Sequence, residues 1–213
     1  MKRLEVLSSL VDNLANVVDV GCDHGYLAIM LKKKNKNRIV IASDVNEFAL
    51  NTAIQNIKKE KLEIPTVLSN GLENIDMNKI DTVVIAGMGT STIKSILKNE
   101  KFKQIKTIII QANNDHEDLR CFMMQETFSL IKEVVVYENG HYYIMMKYVR
   151  GSEVLDTFSL KFGIHDDYEY LKYSLDKKKE ILKRIPNENV KRKDLETEIQ
   201  ILLQYFKEKM WDY

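Results

Sequence analysis

Cysteine, proline and glycine are scarce in this sequence, and long apolar runs are absent. The 213 residues include two cysteines, two prolines and eight glycines. Cys22 and Cys121 are too few for a disulfide framework or a four-cysteine zinc site, and such sparse thiols are typical of the reducing cytoplasm. No apolar run approaches the roughly 18 residues of a membrane span. We expect no signal peptide, because an acidic residue follows the N-terminal basic pair, and we expect a cytoplasmic protein.

An excess of charge of one sign is also missing. Lys and Arg number 32 and Asp and Glu number 31, which gives a net charge of +1 and argues against a uniformly basic nucleic-acid binder. With 45% hydrophobic and 30% charged residues, the chain can bury a core and is not a disordered chain. No two of the four histidines have metal-ligand spacing, so we expect no metal. Nothing points to a protein partner.

Positive charge is nevertheless clustered in two segments. Such clusters bind phosphates without reading sequence, and solvated helix faces are the alternative interpretation. The candidate RNA-binding residues are Lys32, Lys33, Lys34, Lys177, Lys178, Lys179, Lys183, Arg184, Lys191, Arg192 and Lys193.

Short apolar runs alternate with amphipathic segments over the first 126 residues. Strands are predicted at 17–21, 39–43, 66–68, 82–86 and 107–110, with helices at 4–14, 26–34, 47–59, 92–97 and 118–126. This alternation is typical of a parallel sheet covered by helices. Asn139-Gly140 then joins two further strands, 130–137 and 141–149, into a hairpin. We predict an α/β, Rossmann-like fold with a mostly parallel seven-stranded sheet, which by analogy is the class I methyltransferase fold.

The end of the chain has a different pattern. Apolar residues follow helical seams on both sides of a turn at 186–189, which predicts an antiparallel helical hairpin, or coiled coil. The seams are Tyr168, Leu171, Leu175, Leu182 and Ile185, and then Leu195, Ile199, Leu202 and Phe206. We therefore expect a catalytic domain over residues 1–155 and a helical hairpin over 156–213.

Two acidic segments follow the first two predicted strands. Asp19 and Asp23 flank Gly21 in a strand-to-helix turn, and these carboxylates suit an ammonium or sulfonium ligand such as S-adenosylmethionine. Asp44 ends the next strand, where a carboxylate can accept both hydroxyls of a ribose. The alternative is that Asp23 and Asp44 merely cap helices. The predicted cofactor-binding residues are Asp19, Gly21, Cys22, Asp23, Gly25, Asp44, Val45, Asn70, Gly71, Ala86, Gly87 and Met88.

Two further segments follow the fourth and fifth predicted strands. Two glycines flank Met88, which leaves an open floor where ligands of such sheets bind. The amides of Gln111 and Asn113 could bind the pairing edge of a base, although Asn114 or Asp115 could equally be a helix cap. No Asn-Pro-Pro-Tyr or Pro-Cys motif occurs, which argues against N6 methylation of adenine and against covalent attack on a pyrimidine.

Together these motifs resemble the bacterial TrmK family, the tRNA (adenine(22)-N1)-methyltransferases. The resemblance spans the chain from Arg3 onward and is carried by Asp-Val-Gly-Cys-Asp-His-Gly-Tyr-Leu at 19–27, Ser-Asp at 43–44, Asn-Gly-Leu at 70–72, Ala-Gly-Met-Gly at 86–89 and Gln-x-Asn at 111–113. It implies S-adenosylmethionine as donor, methylation of N1 of adenine 22 in the tRNA D-loop region, and a C-terminal coiled coil that helps to hold tRNA.

Two positions depart from the family pattern. Ala112 stands where proline is usual, so we expect a less rigid loop, and Thr90 stands where a third glycine is common, so we expect a slightly narrower site. We predict that His24, Tyr26, Met88 and Asn113 form the acceptor pocket and carry the catalytic role. A methyltransferase of a small molecule or protein, and an RNA-binding protein with a vestigial pocket, are the alternatives.

Overall fold

Sixteen regular elements make up the computed structural model, which describes residues 2–213. Their bounds are α1 Lys2–Leu10, β1 Val17–Val20, α2 Tyr26–Lys34, β2 Val40–Asp44, α3 Glu47–Lys59, β3 Thr66–Leu68, β4 Thr82–Met88, α4 Thr90–Leu97, a 3₁₀ helix Glu100–Gln104, β5 Thr107–Ala112, α5 His116–Gln125, β6 Phe128–Glu138, β7 His141–Arg150, α6 Thr157–Phe162, α7 Tyr168–Arg184 and α8 Lys191–Glu208. No helix of the described residues is long and apolar enough to cross a membrane.

One seven-stranded sheet forms the core of the first part of the chain. Its strand order is β3-β2-β1-β4-β5-β7-β6, in which β7 runs antiparallel to both β5 and β6 while the other pairs are parallel. Every residue of β1 is buried, as expected for a strand with helices on both faces. From β1 the next strands along the chain, β2 and β3, are added on one side, and β4 and β5 are added on the other. A crevice therefore opens between the carboxyl ends of β1 and β4. The predicted fold class is confirmed.

The chain separates into two compact units, Met1–Val154 and Leu155–Tyr213. The second unit has its own apolar core of Phe162, Leu171, Leu175, Ile199, Leu202 and Phe206. Helices α7 and α8 run antiparallel, because Tyr168 at the start of α7 contacts Phe206 near the end of α8, with ring centroids 5.8 Å apart. The predicted helical hairpin is confirmed, with Leu171 and Leu175 as the buried part of its first seam.

Several helix ends differ from the predicted ones. The first helix ends at Leu10 instead of residue 14: the chain turns at Asp12, whose carbonyl accepts from the Ala15 N–H at 3.1 Å, and Leu14 is 88% exposed. Helix α6 was not predicted; the Asp156 carboxylate caps it by accepting from the Ser159 N–H at 2.7 Å.

Candidate active site

A cavity of about 1020 Å³ lies in the first unit, where β1, β2 and β4 end. It is large enough for a nucleoside-sized ligand together with a second group. Almost all predicted cofactor-binding residues line it, as do the four predicted catalytic residues. These lining residues are Asp19, Gly21, Cys22, Asp23, His24, Tyr26, Asp44, Val45, Asn70, Gly71, Ala86, Gly87, Met88 and Asn113. Gly25 is the exception.

Asp19 is a buried carboxylate whose side chain faces this cavity. One hydrogen bond comes from the backbone N–H of Ala28, in the first turn of α2. Its Oδ2 atom has no hydrogen-bond partner among residues 2–213. Burial and, to a lesser extent, the negative charge of Asp44 raise the pKa of Asp19 from 3.8 to about 7, although the Ala28 bond acts in the opposite direction. A buried, unpartnered carboxylate oxygen is favourable only if a cationic or hydrogen-bonding ligand reaches it.

The β1–α2 turn depends on backbone conformations that favour glycine. Gly21 has φ +74°, and its N–H donates to the Ser43 carbonyl at 2.8 Å. A Cβ at Gly21 would collide with the end of the Met88 side chain, so this glycine keeps the floor of the cavity open. Gly25 does not line the cavity. It starts α2 with φ +72° and packs against Ala53, which makes its role structural.

Asp44 links the turn after β1 to the end of β2. Its Oδ2 accepts from the Asp23 N–H at 3.0 Å and its Oδ1 from the Asn46 N–H at 2.9 Å. The cap of α3 is Asn46, which accepts from the Phe48 N–H at 2.9 Å, so the alternative of Asp44 as a helix cap is excluded. Asp23 is not a cap either, because Gly25 holds that position in α2. Each Asp44 oxygen keeps a lone pair for a ligand hydroxyl.

Asn70 and Gly71 follow β3 on the wall next to Asp44. The Asn70 amide donates to the Glu73 carboxylate at 2.8 Å, which orients the Asn70 side chain. Gly71 has φ +58°, and a Cβ there would lie 3.0 Å from Ile96. At Gly71 the cavity wall therefore consists of backbone rather than of a side chain.

The end of β4 is held by the side-chain amides of Gln111, in β5, and Asn113, directly after β5. Gln111 Oε1 accepts from the Gly87 N–H at 3.1 Å, and Asn113 Nδ2 donates to the Gly87 carbonyl at 2.8 Å. Gln111 Nε2 also donates to Asn113 Oδ1 at 3.1 Å. Gln111 is fully buried and does not line the cavity, so it is not available to a base. Asn113 does line it and has one N–H and one lone pair left.

The loop after β5 also explains the start of α4. Asn114 Oδ1 accepts from the Thr90 N–H at 3.1 Å and so caps α4, which begins two residues earlier than predicted. Asp115 begins α5 but makes no side-chain cap. The buried Thr90 hydroxyl donates to the Asn114 carbonyl, and Thr90 does not line the cavity. The prediction that Thr90 makes the site narrower is therefore wrong. Ala112 belongs to β5 rather than to the loop.

His24 and Tyr26 lie at the mouth of the cavity. Their ring centroids are 5.7 Å apart, and both side chains are partly exposed. His24 Nε2 lies 3.6 Å from the Asp23 carboxylate. The pair offers an aromatic surface to a base that enters from solvent.

Several cavity residues carry no sequence motif and were missed. Arg3, Leu4 and Leu7 come from α1, Tyr143 from β7, and Lys98 and Asn99 from the end of α4. Only helical periodicity marked α1, and only strand propensity marked β7, so neither pattern indicated a cavity wall.

The predicted RNA-binding cations divide into paired and unpaired groups. Four of them form ion pairs: Lys33 with Glu60, Lys178 with Glu198, Arg184 with Glu180, and Arg192 with Glu196. The Lys32 ammonium donates to the Arg38 carbonyl. Of the remaining predicted cations, Lys34, Lys177, Lys183, Lys191 and Lys193 are exposed and Lys179 is half-buried, and none of these six forms an ion pair within residues 2–213. No group of three or more His, Cys, Asp or Glu side chains in that range is placed to hold a metal ion.

Comparison with known proteins identifies the family. Residues 1–146 match the family described as "Methyltransferase domain". The tRNA (adenine(22)-N(1))-methyltransferase of Bacillus subtilis is 29% identical over 169 residues, which cover 76% of this chain and 71% of that protein.

Solved structures extend the similarity to nearly the whole chain. The structure of M. capricolum TrmK with S-adenosyl-homocysteine is 32% identical, with a TM-score of 0.86 and 97% coverage of both chains. A Streptococcus pneumoniae protein in complex with S-adenosyl-L-methionine is 28% identical, with a TM-score of 0.83 and coverage of 96% of this chain and 98% of that one. The domain match and this full-length similarity show that the chain belongs to the TrmK family of methyltransferases.

Proposed function

We propose that this protein transfers a methyl group from S-adenosylmethionine to N1 of adenine 22 in tRNA. The observation that carries the proposal is the cavity at the ends of β1, β2 and β4, in which a buried carboxylate oxygen of Asp19 has no hydrogen-bond partner from residues 2–213. The full-length similarity to M. capricolum TrmK supports the same activity. A tRNA acceptor also supports a cytoplasmic location.

The residues present fit this cofactor. Asp19, with its unpartnered Oδ2, would take the positively charged methionine end, together with the backbone of Gly21 and Asp23. Asp44 would accept from the ribose hydroxyls with the lone pairs that its two backbone bonds leave free. Asn70 and Gly71 would contact the adenine. When bound, S-adenosylmethionine supplies a methyl group on a positively charged sulfur, which leaves as a neutral thioether.

In this proposal, most of the rate enhancement comes from the positioning of the two reactants. The N1 lone pair of adenine lies in the plane of the ring, so its attack on a methyl carbon needs no prior deprotonation. The chain must hold nucleophile, methyl carbon and sulfur in line. Met88 is held at the floor by the clamped end of β4, and Asn113, His24 and Tyr26 surround the space for the base. Because N1 is on the pairing edge, the base must first leave its pair or stack.

The second unit supplies tRNA affinity in this proposal. Lys177, Lys183, Lys191 and Lys193 are exposed on α7 and α8 and form no ion pair among residues 2–213. The paired Lys178 and Arg192 contribute less, because contact with a phosphate would compete with a carboxylate for them. Phosphate contacts by the four free lysines would add affinity without sequence specificity.

The test is incubation of the protein with labelled S-adenosylmethionine and unmodified tRNA, followed by nucleoside analysis. We expect 1-methyladenosine, and none when adenine 22 is replaced by guanine. Replacement of the four free lysines by alanine should raise the KM for tRNA at least tenfold and flatten its salt dependence. The matched control replaces four exposed lysines of the first unit: Lys58, Lys59, Lys79 and Lys103. Equal effects of the two sets would contradict the role of the hairpin, and absence of methylated adenosine would contradict the proposed function.

A further inference from the structure

Arg3 and Tyr143 form a charged aromatic pair on the cavity wall. The Arg3 guanidinium carbon lies 4.7 Å from the centre of the Tyr143 ring, a cation–π distance. Arg3 is in the first turn of α1 and Tyr143 is in β7, and both line the cavity. The pair joins two elements that are 140 residues apart in the sequence.

The Arg3 guanidinium is free to bind a ligand. The Arg3 backbone N–H donates to Glu138 Oε1 at 3.4 Å, but the guanidinium forms no ion pair among residues 2–213. It is half-buried, so its position is constrained while its donors still reach the cavity. A planar guanidinium held this way matches the geometry of a phosphate.

Strand order places this pair on the acceptor side of the cavity. Asp19 and Asp44 belong to β1 and β2, whereas β7 lies beyond β4 and β5 in the sheet. Met88 ends β4 and therefore lies between the carboxylates and Tyr143. The cavity is polarised: its acidic side suits a cationic cofactor, and its side with Arg3 suits an anionic substrate.

We propose that Arg3 and Tyr143 position the acceptor nucleotide, with Arg3 bound to a phosphate next to the target adenine. The Tyr143 ring holds the guanidinium in place and offers apolar surface to the nucleotide. Both are positioning residues and take no part in the bond changes. This inference rests on the proposed function, because it requires an RNA acceptor at the same cavity.

A structural role is the competing explanation, since the pair also ties α1 to β7. The two explanations differ in what a substitution changes. Loss of a structural tie lowers thermal stability and weakens cofactor and tRNA binding together. Loss of a phosphate contact raises the KM for tRNA and leaves cofactor affinity and stability nearly unchanged.

The experiment compares Arg3→Ala and Arg3→Lys with Lys2→Ala, a matched control that removes an exposed charge from the same helix. Tyr143→Phe and Tyr143→Ala test the ring. We expect Arg3→Ala to raise the KM for tRNA about tenfold or more, since a charge-assisted hydrogen bond is lost. Arg3→Lys should fall between wild type and Arg3→Ala, Tyr143→Phe should resemble wild type, and Tyr143→Ala should resemble Arg3→Ala. The salt dependence of tRNA binding should weaken by about one phosphate contact for Arg3→Ala and should not change for Lys2→Ala.

Each outcome separates the inference from the proposed function. If the wild-type protein methylates no tRNA, the proposed function fails. If the wild type is active and Arg3→Ala keeps its KM for tRNA, the inference about Arg3 fails. A parallel fall in melting temperature and S-adenosylmethionine affinity would also overturn it in favour of a structural tie, and Arg3→Lys provides the same comparison if Arg3→Ala does not fold.

Discussion

Replacement of Asp44 by asparagine tests the cofactor side of the cavity most directly. The two carboxylate oxygens of Asp44 already accept from the N–H groups of Asp23 and Asn46, at 3.0 and 2.9 Å. A ribose would add hydrogen bonds to the remaining lone pairs of a charged group. Loss of a hydrogen bond to a charged group costs about 1.5–3 kcal/mol. Since the asparagine amide must also turn an N–H toward one backbone donor, we expect about 2–3 kcal/mol, roughly a 30- to 150-fold rise in Kd.

Isothermal titration with S-adenosyl-homocysteine measures that Kd, and thermal unfolding without ligand measures the cost to the fold. The matched control is Asp76→Asn, because Asp76 Oδ1 accepts from the Asn78 N–H at 3.0 Å in the same kind of turn but outside the cavity. The control should lose less stability, because Asp76 is exposed and accepts from one backbone N–H instead of two, and it should bind with wild-type affinity. A wild-type Kd for Asp44→Asn would refute the assignment of Asp44 to the ribose.

Two further predictions concern pH and backbone strain. Burial raises the pKa of Asp19 to about 7, so stability of the cofactor-free protein should fall as pH rises from 3.8 to about 7. Cofactor affinity, measured by calorimetry, should rise about eightfold from pH 6 to 7.5, because only the ionised carboxylate attracts a cation. The Asp19→Asn variant should bind the cofactor weakly, and its affinity should lack this part of the pH dependence. Gly87→Ala meets open space at φ +78° and should cost about 1–2 kcal/mol in urea unfolding. Gly25→Ala should cost more, because its Cβ would lie 3.0 Å from Ala53; equal costs would contradict the packing argument.

Strands and helices whose pattern is local were predicted well. Helix α2 and helix α3 have the predicted bounds, and β1 lies within its predicted segment, because apolar periodicity and glycine position act over a few residues. The start of α4 was not predicted because a residue far along the chain sets it: Asn114 Oδ1 accepts from the Thr90 N–H. Helix α5 begins at His116 rather than residue 118. The short α6 has too few residues for a periodic pattern.

The sequence by itself determined that acidic and glycine-rich turns follow consecutive buried strands. Parallel strands in a sheet bring their carboxyl ends to one edge. That rule was enough to place Asp19, Asp44 and Met88 in one cavity. Only the tertiary structure decided what faces them. The clamp on Gly87 depends on the pairing of β4 with β5, and the pairing of Arg3 with Tyr143 depends on the insertion of β7 between β5 and β6. Such contacts join residues far apart along the chain, and their formation depends on the packing of the whole sheet rather than on any local pattern.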